Sequence, residues 1–407
     1  MSKSIAATPQ TLRRLSGVPA SFRVAGLALL RARKGRIGFR LPDGRTLTFN
    51  HGEPGPDAFV EVHDTKFVGK VLAGGDVGFA ESYMDGDWST DDLTAVLEFF
   101  SENFEAAGQL AVGGRVVRAI NQLRHVFNRN SRAGARRNIA AHYDLGNDFY
   151  SLWLDPTMTY SSGMFASPNS SLEQAQSAKY DAIADRIGAG PDSHLLEIGC
   201  GWGGFAEHAA KTRGARVTCL TISEAQAAYA RERIHRAGLS EKVDIRLEDY
   251  RDHQGRYDGV ASIEMFEAVG ESYWPSYFDK VAEVLRDGAR AALQIITIRD
   301  ELFDRYRKRA DFIQRYIFPG GMLPSDDVLK AQFARAGLVH RGTQYFGEDY
   351  ARTLRLWAKS FNEHWSEIQA LNFDEPFRRM WNFYLAYCEA GFRNGRINVG
   401  QFELAKA

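Results

Sequence analysis

One segment, "HLLEIGCGWGGF" at residues 194–205, limits the possible folds of this chain more than any other. Its apolar run has the length of a buried strand, a tight glycine turn follows directly, and the next residues open a helix. This order of strand, glycine turn and helix is typical of an open parallel sheet, which binds its ligand where the strands end. We therefore expect an α/β domain with a cofactor site at this turn.

The chain from about residue 190 onward alternates between strand-like and helix-like segments. Strand patterns such as "RVTCLTIS", "VDIRLED" and "ARAALQIITI" are separated by helix patterns such as "EAQAAYARERIHRAG" and "YWPSYFDKVAEVLRDG". Strands that alternate with helices predict a parallel, doubly wound sheet. The predicted fold class is therefore α/β with a Rossmann-like sheet, followed by a helical, aromatic-rich C-terminal third.

The N-terminal part of the chain has a different pattern. The segment "GRIGFRLPDGRTLTFN" alternates apolar and polar residues around a "DG" turn, which is a strong hairpin signal. We predict a small α+β domain over residues 1–111, a linker over 112–138 and the catalytic domain over 139–407. The linker contains seven arginines and no acidic residue. It is either a solvated connection or a basic strip that faces anionic phosphates.

Composition narrows the class of protein and its location. Lysine plus arginine equals aspartate plus glutamate at 51 each, so no overall field favours nucleic acid as a partner. The three cysteines form no CxxC pair and no metal-ligand spacing, which fits a reducing cytoplasm and predicts no metal site. No apolar segment has the length of a membrane span, and the N-terminus lacks the apolar core of a signal peptide. We expect a cytoplasmic protein that does not cross a membrane.

The glycine turn is compatible with two classes of cofactor. Gly199, Gly201 and Gly204 satisfy the GxGxxG pattern of dinucleotide-binding dehydrogenases. However, Glu197 precedes the turn, and Gly203 extends it to E-x-G-x-G-x-G. A carboxylate at that point repels a pyrophosphate, whereas S-adenosylmethionine (SAM) has no phosphate and carries an ammonium and a sulfonium group. The turn therefore favours SAM over a nicotinamide dinucleotide.

The run E-x-G-x-G-x-G resembles the first motif of class I SAM-dependent methyltransferases, and this resemblance implies further cofactor contacts at the ends of the next two strands. In "LTISEAQ", Thr221 and Gln226 stand where a ribose is expected, and their hydroxyl and amide can bond its oxygens. In "LEDYRD", Asp249 and Tyr250 stand where this type of fold presents an acid and a ring to the adenine. Asp249 alternatively caps the next helix.

Several separated motifs together resemble one enzyme family. These are "HYDLGNDFYSLWLDPTMTYSSGMF" (142–165), "EIGCGWGG", "DYRD", "EMFEAVG", "YIFPGGMLPS" (316–325) and "YFGEDYARTLRLW". In this order they resemble the cyclopropane-fatty-acid synthase family, which includes mycolic acid methyltransferases. The resemblance covers nearly all of residues 138–407. It implies a class I SAM-dependent methyltransferase that acts on cis double bonds in the acyl chains of membrane phospholipids.

The resemblance also has implications for the rest of the protein. The N-terminal domain is similar, more weakly, to the smaller lipid-engaging domain of the longer family members. A homodimer is expected by family analogy. Peripheral association with the inner face of the membrane is expected because the basic strip and exposed aromatic residues can hold the enzyme at anionic headgroups. The catalytic domain is expected to hold the methyl donor in line with the double bond in a dry pocket and to surround the resulting carbocation with aromatic faces. The base implied by the family is a bound bicarbonate ion.

Family residues can be carried over where the motifs match. Glu267 and Tyr350 match side chains of the bicarbonate site, and Ile298 matches a backbone contact of that site. Tyr160 and Ser161 match residues that touch SAM, and Tyr143 matches a tyrosine that lines the same end of the site. Glu264, in the same motif as Glu267, either faces SAM or satisfies a backbone amide.

Two positions depart from the family pattern. Ser162 stands where a cysteine is usual, and Ile296 stands where a histidine normally contacts bicarbonate. Gln294, two residues earlier on the same strand face, can supply a replacement hydrogen bond. A shift in the base changes which proton is removed, so the product is a cyclopropane or a methyl-branched or methylidene chain. The remaining alternative is a lipid-binding relative that has lost its base.

Overall fold

The computed structural model describes residues 4–103 and 145–406, which form two compact units. The first unit contains the described N-terminal residues together with Arg309–Phe312 and Asn372–Asn394. The second contains the remaining described residues. The first unit is thus built from three separate stretches of chain, whereas the sequence predicted one contiguous N-terminal domain.

The first unit has a five-stranded sheet in the order β1-β3-β2-β4-β5. Its strands are β1 (Ser4–Ala6), β2 (Lys34–Arg40), β3 (Thr46–Asn50), β4 (Glu53–Val62) and β5 (Trp88–Ser89). Its helices are α1 (Pro9–Arg13), α2 (Ala20–Leu29), α3 (Phe67–Met84), α4 (Leu93–Glu102) and the helix Glu375–Arg393. The predicted hairpin is confirmed, since β2 and β3 pair antiparallel around Gly44, whose φ is +85°.

The helix Glu375–Arg393 belongs to this unit because its buried face is matched to α4. Thr94 on α4 donates a hydrogen bond to Glu389 at 3.2 Å, and Arg393 pairs with Glu98 at 2.9 Å. The Phe383 ring also contacts Phe79 at 6.3 Å between ring centroids. These contacts join residues about 300 positions apart, which no local pattern in the sequence indicates.

The second unit contains a seven-stranded sheet in the order β11-β12-β10-β9-β6-β7-β8. Its strands are β6 (His194–Ile198), β7 (Arg216–Thr221), β8 (Val243–Leu247), β9 (Tyr257–Ile263), β10 (Leu285–Ile298), β11 (Leu338–Tyr345) and β12 (Ile397–Lys406). The strands β6 to β10 pair parallel, and β12 enters antiparallel between β10 and β11. This arrangement confirms the predicted α/β fold.

Helices cover the two faces of this sheet: α5 (Asn147–Ser151), α6 (Leu172–Arg186), α7 (Gly204–Thr212), α8 (Glu224–Arg236), α9 (Trp274–Val284), α10 (Asp300–Tyr306), α11 (Asp326–Arg335), α12 (Gly347–Glu363) and α13 (Trp365–Ala370). Successive residues of β6 point to opposite faces, so Leu195 packs in one buried cluster with Phe205, and Leu196 packs in the other with Phe266. With both faces buried, ligands can reach only the ends of the strands. Among the described residues, no helix combines the length and apolar character that crossing a membrane requires.

Candidate active site

The glycine turn connects β6 to α7 in a conformation that favours glycine. Gly199, Gly201 and Gly203 have φ values of +81°, +50° and +82°, in the left-handed region. A Cβ atom on Gly199 would lie 2.4 Å from the Cγ atom of Met265, so the turn packs directly against the end of β9. A Cβ atom on Gly201 would meet no atom within 4 Å. The turn therefore leaves open space at Gly201, at the carboxyl end of β6.

Glu197 is buried at the end of β6, immediately before the turn. The thiol of Cys219, its neighbour across β7, donates to its carboxylate at 3.6 Å. Burial raises the pKa of Glu197 to about 8, while the Cys219 bond and the charges of Arg233 and Lys179 oppose the rise. Burial thus favours the neutral form of Glu197, whereas a nearby cationic ligand would favour its ionised form.

The residues predicted to contact ribose and adenine lie after β7 and β8. Thr221 donates a hydrogen bond to Gln226 at 2.9 Å, and both side chains are buried. Asp249 does not cap a helix, because a turn follows it, and its carboxylate accepts two bonds from the Arg251 guanidinium at 2.9 and 2.6 Å. The Arg251 guanidinium carbon also lies 5.8 Å from the centre of the Tyr250 ring. The sequence reasoning missed Arg251, although a basic residue two positions after Asp249 indicates an ion pair between these side chains.

Glu264 is the most highly connected carboxylate at the end of β9. Its Oε1 atom accepts bonds from the Ser162 N–H at 2.9 Å and the Gln294 amide at 2.7 Å. Its Oε2 atom accepts the Tyr350 hydroxyl at 2.5 Å. Burial raises the pKa of Glu264, while the Tyr350 bond, the charge of Lys179 and the Ser162 and Gln294 bonds oppose this rise. Of the two roles considered, the bond to a backbone amide is observed, with two side-chain bonds in addition.

Glu267 lies in the 3₁₀ turn Phe266–Ala268 that follows, in a contrasting environment. Its Oε1 atom accepts the Ile296 N–H at 2.6 Å, but its buried Oε2 atom has no hydrogen-bond partner among the described residues. Burial and then the charge of Glu264 raise the pKa of Glu267 to about 8. Tyr350 and Gln294, predicted to act with Glu267, are bonded to Glu264 instead.

The loop before α6 brings Ser161 and Ser162 to this site. The Ser162 hydroxyl is fully buried and donates to the Gly163 carbonyl at 2.9 Å, so this residue supplies its N–H rather than its hydroxyl. Ser161 is held by Lys179, whose ammonium donates to its hydroxyl at 2.6 Å, and by Gln176, which donates to its carbonyl at 2.9 Å. The second lysine bond goes to Gln176 at 2.6 Å.

Lys179 has no exposed surface, and burial lowers its pKa to about 7 against the opposing charges of Glu264, Asp155 and Glu197. The sequence reasoning missed this residue. The available signal was its spacing on α6, where it shares a face with Ala175 and Ile183, both buried apolar residues. A lysine on an apolar helix face requires polar partners inside the protein.

Aromatic rings line the same region. The Tyr160 ring lies 5.2 Å from Trp357, 5.3 Å from Tyr150 and 5.7 Å from Trp153, between ring centroids. The Tyr350 ring stands edge-on to Trp357 at 6.2 Å. These faces provide the electron-rich surroundings that a cationic centre prefers. Tyr143 and the basic strip at 112–138 lie outside the described residues.

The buried acids have a consequence for stability. Glu197 and Glu267 have an ordinary pKa of 4.5 and a pKa of about 8 in the folded protein. Between these values the folded protein binds more protons than the unfolded chain, so the free energy of unfolding is expected to fall as pH rises from about 4.5 to about 8. Chemical denaturation at several pH values measures this slope, and Glu267→Gln should reduce it. An equal slope in both proteins would contradict the assignment for Glu267.

Known proteins match this chain over most of its length. The family model described as mycolic acid cyclopropane synthetase matches residues 130–402. The tuberculostearic acid methyltransferase of Mycobacterium tuberculosis is 40% identical over 366 residues, which cover 86% of this chain and 83% of the relative. The cyclopropane-fatty-acyl-phospholipid synthase of Escherichia coli is 36% identical over 361 residues, covering 84% and 87%. Among solved structures, a cyclopropane synthase from Mycobacterium tuberculosis matches with a TM-score of 0.63 and 34% identity, covering 67% of this chain and 98% of the other.

Proposed function

The chain belongs to the mycolic acid cyclopropane synthetase family of SAM-dependent methyltransferases, and from this premise we propose that it methylates a cis double bond in an acyl chain of a membrane phospholipid. The proposed product is a methyl-branched or methylidene chain, formed through a carbocation. Membership in this family of SAM-dependent methyltransferases supports SAM rather than a nicotinamide dinucleotide as the cofactor, and we propose that the glycine turn holds it.

The observation that carries the proposal is the position of Glu264 and Glu267. Both follow β9, whose end packs against the glycine turn through Met265 and Gly199. Two buried carboxyl groups with raised pKa values beside a cofactor turn form an acid–base site. Such a site suits a reaction that must remove a proton from carbon after the methyl group has been transferred.

The residues present fit SAM. The open space at Gly201 provides room for a ligand, and Glu197, four residues earlier at the end of β6, can supply a negative charge once a cationic ligand offsets the effect of its burial. When bound, SAM supplies a methyl group made electrophilic by its sulfonium. We propose that the protein contacts SAM through residues at the ends of β6, β7 and β8 and in the loop before α6: Glu197, Gly199, Gly201, Thr221, Gln226, Asp249, Tyr250, Tyr160 and Ser161.

The protein's own side chains would exclude water, stabilise the positive charge on the acyl chain and remove the proton. Tyr160 and Trp357 form an aromatic wall that excludes water and stabilises positive charge on the acyl chain. The proposed catalytic set consists of Glu267, Tyr350, Ser162, Gln294 and Tyr143, the last of which lies outside the described residues. In this set Ser162 acts through its N–H and Gln294 through its bond to Glu264.

A bicarbonate ion does not fit the residues present. The Tyr350 hydroxyl and the Ser162 N–H both donate to Glu264, and the Ile298 N–H donates to the Pro324 carbonyl at 2.9 Å. A separate anion would also face two carboxyl groups without a free donor from this set. No step of the proposed reaction therefore passes through bicarbonate.

The proposed reaction can be tested with SAM that carries a trideuterated methyl group and vesicles of unsaturated phospholipid. We expect label in the acyl chain, with three deuteriums in a methyl branch, or with two in a methylidene chain that ozone cleaves. Vesicles of saturated phospholipid are the control and should gain no label. Turnover of SAM that leaves the lipid unlabelled would contradict the proposal.

A cyclopropane is the second candidate product, because the 36% identical relative from Escherichia coli is a cyclopropane synthase. In the same experiment it would retain two deuteriums and resist ozone. We further propose that the protein acts at the cytoplasmic face of the membrane, where the basic strip at 112–138 can contact anionic headgroups.

A further inference from the structure

We propose that Glu264 is the proton acceptor of the reaction, and that its carboxylate occupies the place of a separately bound anion. This inference rests on the proposed function and names the base of the same site. It also explains why the donors expected around such an anion are already engaged.

Three donors from three different segments converge on this one side chain. The Ser162 N–H comes from the loop before α6, the Gln294 amide from β10, and the Tyr350 hydroxyl from α12. Within the described part of the chain they leave one lone pair of Oε2 without a donor, since a carboxylate offers about four acceptor positions. Gln294 is itself held by Gln401, whose amide donates to its oxygen at 3.2 Å, so the supporting bonds extend into β12. Glu264 is thus fixed in orientation as a base must be.

The backbone at this residue is unusual. Glu264 has a φ of +49°, in the left-handed region that residues with a side chain rarely adopt. Its N–H donates to the Gln294 carbonyl at 2.9 Å, so backbone and side-chain bonds to Gln294 together stabilise the strained conformation. This conformation turns the carboxylate toward Ser162 and Tyr350. A glycine at position 264 would leave a space there with the size of a carboxylate group.

Glu264 and Glu267 differ in protonation because their hydrogen-bond partners differ. Glu264 accepts three hydrogen bonds, an environment that favours its ionised form, whereas the Oε2 atom of Glu267 has no partner among the described residues. Two neighbouring buried carboxylates repel each other, so one proton is retained by the pair. The partners place that proton on Glu267 and leave Glu264 able to accept another.

The step balances without another reactant. Transfer of the methyl group leaves a carbocation on the acyl chain. For a methyl-branched alkene, one C–H bond beside the cationic carbon then breaks, and its electron pair forms the carbon–carbon double bond. For a methylidene chain, a hydride first shifts from the methyl-bearing carbon to the cationic carbon, and a C–H bond of the methyl group then breaks in the same way. The proton joins the Glu264 carboxylate and is released to solvent before the next turnover. Because a C–H bond beside a carbocation is strongly acidic, position matters more than basicity, and a hydrogen-bonded carboxylate suffices.

The first test compares the wild-type enzyme in carbon-dioxide-depleted buffer with and without added bicarbonate. Transfer of labelled methyl groups to phospholipid vesicles is the readout. If Glu264 is the base, the rate should be the same in both buffers. A wild-type rate that falls on depletion and returns with bicarbonate would overturn the inference while leaving the proposed methyl transfer intact. Failure of the proposed function would appear separately, as wild-type enzyme that labels no lipid in either buffer.

The second test uses Glu264→Gly, which suits the positive φ and frees the three donors. We expect its rate to fall by about 10²-fold or more, and added formate or bicarbonate to restore part of it by binding in the vacated place. Glu264→Gln, which fills that place with an amide, should be equally slow and should not respond to either anion. Full activity of Glu264→Gly without an added anion would refute the inference. So would a lack of rescue in a variant that binds SAM normally.

Discussion

Replacing Gly201 with alanine is expected to weaken SAM binding by about 100-fold or more, which corresponds to about 2.7 kcal/mol. An alanine Cβ atom at this position meets no protein atom within 4 Å, so the substitution does not disturb the packing of the turn. The φ of +50° adds a cost of roughly 1–2 kcal/mol to folding. The larger effect arises because the open space beside Gly201 is the proposed position of SAM, and a methyl group there displaces it. Isothermal titration with SAM measures the affinity, and thermal unfolding measures the folding cost.

Gly238→Ala is the matched control for this experiment. Gly238 follows α8 and has a φ of +69°, and a Cβ atom added there would also meet no protein atom within 4 Å. The two variants therefore share the backbone cost and differ only in what occupies the adjacent space. We expect similar losses of thermal stability, with SAM affinity unchanged in Gly238→Ala. Equal SAM affinity in both variants would show that the space at Gly201 is not the cofactor position.

The fold was predictable because its signals are local. A strand, a glycine turn and a helix succeed one another within residues 194–205, and the following strands and helices alternate with regular spacing. The position of β12 was not predictable in this way. It pairs antiparallel with β10 more than 100 residues earlier in the chain, for example Gln401 with Gln294.

The candidate site was only partly predictable, because its decisive bonds are long-range. Glu264 and Glu267 were identified from two acids in an apolar run, but their separate environments depend on partners elsewhere in the chain. Gln294 is 30 positions away from Glu264, Tyr350 is 86 and Ser162 is 102. The family resemblance grouped Tyr350 with Glu267, because both match side chains of the expected bicarbonate site. The structure gives this hydroxyl to Glu264 instead.

Lys179→Met is expected to lower the rate of methyl transfer by roughly 10- to 100-fold, as for other groups that position a base. The buried ammonium holds the hydroxyl of Ser161, and the N–H of the next residue donates to Glu264. The charge of Lys179 also opposes the rise in the Glu264 pKa that burial causes. Methionine has a similar length but supplies neither the bond nor the charge. The rate with labelled SAM and phospholipid vesicles measures the loss, and Lys359→Met, an exposed lysine on α12, is the control that should retain the wild-type rate.

The difference in stability between Lys179→Met and the wild-type protein should also depend on pH, which a simple loss of packing does not cause. The pKa of Lys179 is about 7 in the folded protein and 10.5 ordinarily, so between these values the unfolded chain binds a proton that the folded protein does not. The wild-type lysine therefore destabilises the protein most at low pH, and this penalty disappears as pH rises toward 10.5.

Loss of the bonds to Ser161 and Gln176 lowers the stability of Lys179→Met at every pH, with a cost of about 1–3 kcal/mol for each unsatisfied group. Relative to wild type, Lys179→Met should consequently be more stable at pH 7 than at pH 10, as measured by chemical denaturation. A difference that stays constant over this range would mean that the lysine remains charged in the folded protein, where it would act as a permanent counter-charge to Glu264.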